Sequence, residues 1–251
     1  MSSLLKIDNM SVSFATPRGN LRAVNDVTIE LLKGESLGVV GESGSGKTVL
    51  SRATMGLLPG TATRTGTITY NGQVISDLPK DEVRELWGTG MAMIFQDPMT
   101  ALNPVRRIGA QLTESLTVRL GMDKKAAKQK AIELLMRVRI PDPESMLRKF
   151  PYQLSGGMRQ RIMIAIAVSC EPQLLFADEP TTALDVTVQA QVLDLITELR
   201  KESDMAMILV THDLGVVAGH TDKIAVMYAG DVVEYAPTRQ LFSNMKMPYT
   251  E

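Results

Sequence analysis

Eight consecutive residues carry the most specific chemical signal in the chain. Gly41-Glu42-Ser43-Gly44-Ser45-Gly46-Lys47-Thr48 fit the pattern G-x-x-x-x-G-K-[ST], whose glycines let successive backbone N–H groups converge on phosphate oxygens. A helix beginning at the lysine adds positive potential at its N-terminus. Lys47 would bring a point charge to the β- and γ-phosphates of a nucleotide, and Thr48 would offer its hydroxyl to Mg2+. A glycine-rich turn can match the pattern by chance, so a second motif has to support it. That motif is Asp178-Glu179, delivered by the apolar run Leu174-Leu175-Phe176-Ala177. Asp178 suits Mg2+, held through the metal's water shell, because this ion takes carboxylates, water and substrate phosphate. Glu179 suits the general base that polarises an attacking water in phosphoryl transfer. Alone, Asp-Glu-Pro could simply end a strand; together with a phosphate loop it reads as catalytic.

A third constellation is Leu154-Ser155-Gly156-Gly157-Met158-Arg159-Gln160-Arg161. Ser155 can cap a helix running to Ser169, and Gly156 and Gly157 let the helix's first N–H groups approach an anion closely. A plain N-cap explains the serine. It does not explain two glycines in the first turn, where each costs about 1 kcal/mol.

These residues need elements to position them. Ser36 to Val40, Gln173 to Ala177 and Met205 to Val210 are short apolar runs that end abruptly in polar residues, the pattern of buried parallel strands. Open parallel sheets bind ligands at strand C-terminal ends, here Gly41, Asp178 and His212. The spacing predicts a helix from about Lys47 to Leu58, broken by Pro59-Gly60. Leu4 to Ser13 and Ala23 to Leu32 read as strands, and Thr65 to Val74 as a hairpin turning at Asn71-Gly72, together an antiparallel β layer. From about Pro98 to Val168 helical periodicity takes over, as in Lys124 to Val138. The α/β rhythm returns with a helix from Val186 to Glu202 and a strand from Met205, and Lys223 to Glu234 form a last hairpin. The expected fold is α/β: a phosphate-loop ATPase core with a RecA-like mixed sheet and an antiparallel β layer. It is expected as a single domain over residues 1–251 with a helical subdomain inserted at 98–168.

Composition narrows the function classes. The 251 residues suffice for a substantial core. Lys plus Arg number 27 against 28 Asp plus Glu, so no basic field advertises a nucleic-acid partner. The single cysteine, Cys170, excludes an internal disulfide framework and fits a reducing compartment. The strongly apolar stretch Ile162 to Val168 falls far short of the ~20 residues needed to span a bilayer. Residues Met1 to Asn9 lack the apolar run of a secretion signal. Membrane contact is therefore expected through a partner.

The Leu154 to Arg161 segment resembles the signature of the ATP-binding cassette (ABC) family, and the resemblance extends over nearly the whole chain. Gln96 in Phe95-Gln96-Asp97-Pro98 resembles the Q-loop, which reaches Mg2+ and senses a membrane partner. Ala183-Leu184-Asp185 resembles the D-loop, and His212 the switch histidine. Phe14 resembles the aromatic that stacks on adenine, a position where the family often has Tyr. His220 matches nothing and reads as structural. The resemblance implies ATP and Mg2+ as ligands, and a second ATPase subunit, the same chain or a related one, as partner. Ser155, Gly156, Gly157, Gln160 and Asp185 would then contact ATP across a head-to-tail dimer that closes on ATP and opens after hydrolysis.

Gln96 and Leu154 lie too close in sequence for the coiled-coil insertion of chromosome-maintenance ATPases. Neither the two ATPase domains and charged linker usual in translation-associated members nor the fused membrane domain of many exporters appears in these residues, and the Asn-Lys-x-Asp segment expected of a GTPase is not present in them. Two segments, Gln96 to Pro104 and Asp178 to Gln191, are similar to importer ATPases for dipeptides, oligopeptides and nickel. The first would form a groove for a short coupling helix of a membrane subunit. The resemblance thus implies a peripheral subunit on the cytoplasmic face of the inner membrane, working with two transmembrane permease subunits and an extracytoplasmic substrate-binding protein. Peptide is the implied cargo; nickel or another metal complex, or a soluble non-transport ATPase, are the alternatives. Such importers commonly continue past a Pro-Tyr-Thr segment into an extension that can carry an iron–sulfur cluster. Here Pro248-Tyr249-Thr250 stand near the end of the sequence, and Cys170 alone cannot build a cluster.

Overall fold

Every residue of Ser36–Val40 is buried, as expected of a strand covered on both faces, and this run organises the first of two units. The computed structural model describes residues 3–17, 19–182 and 184–250. One unit comprises the residues up to 86 together with those from 204 onward; the other comprises residues 87–203.

The first unit opens with β1 (Ser3–Thr16) and β2 (Gly19–Leu32), then β3 (Ser36–Val40), α1 (Lys47–Thr54), β4 (Ala62–Tyr70), β5 (Gln73–Val74) and α2 (Lys80–Glu85). Strands β2, β1, β4 and β5 form an antiparallel sheet in that order, with Ile7 opposite both Ile29 and Ile68. All three isoleucines are buried, so one face of this layer is core. The β4–β5 hairpin turns at Asn71-Gly72, as the sequence predicts.

The second unit contains β6 (Met91–Ile94), α3 (Pro98–Ala101), α4 (Ile108–Leu120), α5 (Lys124–Arg137), α6 (Pro143–Met146), α7 (Gly156–Val168), β7 (Leu174–Asp178) and α8 (Val186–Glu202). Among the described residues no strand falls between β6 and β7. Asp123, Ser155 and Asp185 cap α5, α7 and α8 with side-chain oxygens, each worth about 1 kcal/mol. On α5 the buried residues are Ala127, Ala131, Leu134 and Leu135, the helical spacing of one apolar stripe. Strands β6 and β7 run parallel, with Met91 opposite Leu174 and Ile94 opposite Ala177.

The chain then returns to the first unit with β8 (Ala206–Thr211), α9 (Leu214–His220), β9 (Lys223–Tyr228), β10 (Asp231–Pro237) and α10 (Thr238–Ser243). β3 lies between β8 and β9, parallel to both. β9 and β10 form the expected hairpin.

Two expectations need correction. Helix α1 stops at Thr54 rather than near Leu58. Gly56 adopts φ 70°, and the Gly56 and Leu57 N–H groups bond to Ala53 O and Arg52 O, which is the Schellman stop. Pro59-Gly60 follows a helix that has already ended. The second correction is β6, a strand the sequence reading passed over because Met-Ala-Met-Ile is short and carries only one β-branched residue. No helix among the described residues is long and apolar enough to cross a membrane.

Candidate active site

In the first unit, β3 ends at Val40 and α1 begins at Lys47, so residues 41–46 form the loop between them. Backbone presses on this loop from two sides. A Cβ on Gly41 would lie 2.1 Å from Met227 O, and one on Gly46 would lie 2.2 Å from Ala23 O. Gly46 also adopts φ 102° as the helix N-cap, a conformation that favours glycine. Lys47 is 4 % exposed. Its ammonium donates to Gly41 O at 2.7 Å, Glu42 O at 2.8 Å and Ser45 Oγ at 3.5 Å, which offsets the cost of burying a charge. The loop is further tied by Ser45 N–H to Glu42 O at 3.2 Å and by Gly230 N–H to Ser45 O at 3.1 Å. The Glu42 N–H donates to Tyr249 Oη at 2.8 Å. A buried ammonium inside a loop opening onto a helix N-terminus suits an anionic ligand. Ser43 and Gly44 are exposed on the loop's rim, and Thr48 is half-buried in the first turn of α1. His212 is exposed at the end of β8, ahead of the Asp213 cap of α9. Phe14 is half-buried on β1, opposite Leu21 and Ala62.

In the second unit the carboxylate pair sits at the end of β7. Asp178 is fully buried, while Glu179 is partly exposed. Ile94 pairs with Ala177, so the residues two beyond each, Gln96 and Glu179, emerge side by side. The Gln96 side-chain amide donates to Glu179 Oε2 at 2.9 Å. Thr182 Oγ1 donates to the same oxygen at 2.9 Å. Glu179 holds φ 44°, a left-handed conformation that costs a non-glycine residue about 1–3 kcal/mol and clusters at functional sites.

The Leu154–Arg161 segment opens α7 as expected. Ser155 Oγ accepts from Met158 N–H at 3.3 Å, and Ser155 and Gly156 are exposed. A Cβ on Gly156 would meet only Leu184 Cδ2, at an ordinary 3.9 Å, so packing within the chain does not require glycine there. Asp185 is exposed and accepts from Val188 N–H at 3.0 Å. Ala183 lies outside the described residues. Gln160 departs from the expectation of a contact with a second subunit. It is 2 % exposed, and its amide donates to Pro180 O at 2.5 Å, tying α7 to the segment that follows Glu179.

Sequence reasoning missed Thr182 and Tyr249. Thr182 stands three residues after Glu179, a spacing at which a turn lets a hydroxyl reach back, so the signal was present. Tyr249 had no local signal, being 207 residues from Glu42.

The description "ABC transporter" fits residues 24–182 of the chain. The chain belongs to the ABC transporter family, and it is an ATP-binding and ATP-hydrolysing enzyme of that type. It is 49 % identical over 247 residues to the oligopeptide transport ATP-binding protein OppD of Salmonella typhimurium, covering 98 % of this chain and 74 % of that one. It is 48 % identical to the dipeptide transport ATP-binding protein DppD of Bacillus subtilis, covering 100 % of this chain and 76 % of the relative. Among solved structures, the ATP-binding cassette MJ0796, a dimer in a post-hydrolysis state bound to ADP and Pi, superposes with TM-score 0.85 at 25 % identity. That match covers 94 % of this chain and 99 % of the neighbour. The expected α/β cassette fold is therefore the fold of this chain.

Proposed function

We propose that the chain is the ATP-hydrolysing subunit of an importer of dipeptides or oligopeptides. It works with two membrane-spanning permease subunits, a second ABC ATPase and an extracytoplasmic binding protein, at the cytoplasmic face of the inner membrane. The observation that carries the cargo class is identity of nearly one half, over almost the whole chain, to proteins named for oligopeptide and dipeptide transport.

In this reading the loop 41–48 grips the phosphates of ATP, with Lys47 supplying charge and Phe14 stacking on the adenine. Glu179 takes the proton of the attacking water, and Gln96 and His212 orient that water. Loss of a general base costs about 10²- to 10⁴-fold in rate. The Thr48 hydroxyl, the Gln96 amide oxygen and the buried Asp178 carboxylate are hard oxygen donors of the kind Mg2+ takes. Held with ATP by donors of this kind, Mg2+ would neutralise charge developing on the phosphate oxygens.

Ser155, Gly156, Gly157 and Asp185 face the nucleotide of the second ATPase. Support comes from Gly156, which is exposed and has no packing reason to be glycine, and from the dimeric neighbour. Residues 98–168 act as a helical subdomain that meets the permease. Phe95, Met99 and Val105, large apolar side chains left exposed in and beside Gln96 to Pro104, support a docking groove along Gln96 to Pro104.

The test is reconstitution with the permease subunits and binding protein in liposomes. Peptide-loaded binding protein should raise both ATP hydrolysis and peptide uptake, and a nickel complex should raise neither. Stimulation by nickel alone would overturn the peptide assignment while leaving the ATPase reading intact.

A further inference from the structure

The Pro248-Tyr249-Thr250 segment meets the phosphate loop at one peptide group. The peptide joining Gly41 to Glu42 is held at both ends: its carbonyl, Gly41 O, accepts from Lys47 Nζ at 2.7 Å, and its N–H, on Glu42, donates to Tyr249 Oη at 2.8 Å. The phenol and the ammonium therefore fix the plane of the same amide. If that peptide rotates, Lys47 loses its nearest partner.

Tyr249 is itself held firmly. Its ring packs against Tyr228 with centroids 4.7 Å apart and planes tilted by 58°. Tyr228 ends β9, and the turn that follows supplies the Gly230 N–H bonded to Ser45 O. On the other side of Tyr249, Thr250 is 2 % exposed and its N–H bonds to Met247 O. Upstream, Lys246 N–H donates to Glu234 Oε1 at 3.0 Å, anchoring the segment to β10. A phenol clamped in this way can hold a loop that is otherwise exposed at Glu42, Ser43 and Gly44.

We propose that Tyr249 is a positioning residue for ATP binding, acting through the 41–42 peptide to hold Lys47 and the phosphate loop ready for the nucleotide. This rests on the phosphate-loop reading of residues 41–48. The hydroxyl is the active element, because it accepts the Glu42 N–H. Ordering the loop before ATP arrives improves affinity, since less conformational freedom remains to be lost on binding. Once ATP is bound the advantage is spent, so the effect falls on KM and not on kcat.

The experiment compares Tyr249→Phe, Tyr249→Ala and Lys47→Ala. It measures ATP affinity on the isolated chain, KM and kcat in the assembled ATPase, and amide hydrogen exchange across residues 41–46. Tyr249→Phe removes one oxygen and keeps the ring against Tyr228. It should raise the Kd and KM for ATP about three- to tenfold, the range of one lost hydrogen bond, with kcat within about twofold. It should also speed exchange at the Glu42 amide while leaving β3 protected. Unchanged KM and unchanged Glu42 exchange in Tyr249→Phe overturn the proposal. So does a loss confined to Tyr249→Ala, which would assign the effect to ring packing. If Lys47→Ala binds ATP normally, the phosphate-loop reading itself fails. If Lys47→Ala abolishes binding and Tyr249→Phe does not weaken it, only the role of Tyr249 fails.

Discussion

Gln96 donates to Glu179 Oε2 at 2.9 Å, and the parallel register of Ile94 on Ala177 brings the two side chains together. Thr182 Oγ1 reaches the same oxygen at 2.9 Å. The carboxylate is thus oriented from two sides: by Gln96 just past the end of β6, and by the turn that follows β7.

Thr182→Val removes one of these donors at nearly constant volume. In the assembled ATPase kcat should fall about tenfold, because hydrogen bonds to charged groups are worth about 1.5–3 kcal/mol and only part of that is specific to the transition state. KM for ATP should change little. Steady-state kinetics across ATP concentrations separates the two, and a KM effect without a kcat effect would remove Thr182 from the positioning of the base.

Glu179→Gln and Asp178→Asn should give opposite phenotypes. The first keeps shape and removes the base, so ATP binds, the dimer closes, and hydrolysis slows by about 10²- to 10⁴-fold. The second weakens metal placement at a fully buried carboxylate, so closure should fail or require much more Mg2+. Size-exclusion chromatography with ATP and Mg2+ reads the trapped dimer. Hydrolysis at the unmodified rate in Glu179→Gln would exclude Glu179 as base and leave His212 with Gln96 to position the water.

Lys47→Ala should abolish tight ATP binding. The ammonium also bridges Gly41 O and Glu42 O, so the variant loses both the charge and a tie within the loop. Titration with a fluorescent ATP analogue measures the loss, and affinity equal to the unmodified chain would refute the phosphate-loop assignment.

Ser155→Arg tests action across the dimer. Ser155 is exposed and its hydroxyl caps α7, so the substitution costs about 1 kcal/mol of helix stability without entering the core. ATP binding by the isolated chain should be retained while hydrolysis in the assembled complex stops. Hydrolysis by isolated monomers at the full rate of the complex would show that no second subunit is needed.

What the sequence determined by itself is what local geometry determines. The strand, loop and helix at residues 36–54 were legible because a strand, a glycine-rich turn and a helix start are specified within a few residues. The cap at Ser155 and the hairpin at Asn71-Gly72 were legible for the same reason. Even the misplaced end of α1 was a local matter, since Gly56 carries the stop in its own left-handed φ. Tertiary structure alone decided which long-range partners meet. Strand register joins Gln96 to Glu179, burial turns Gln160 inward onto Pro180 O, and the folding of the last segment brings Tyr249 to the Glu42 N–H. Periodicity and spacing describe a chain segment in its own frame. Register, burial and loop closure depend on what packs against it, and that appears only when distant segments share one core.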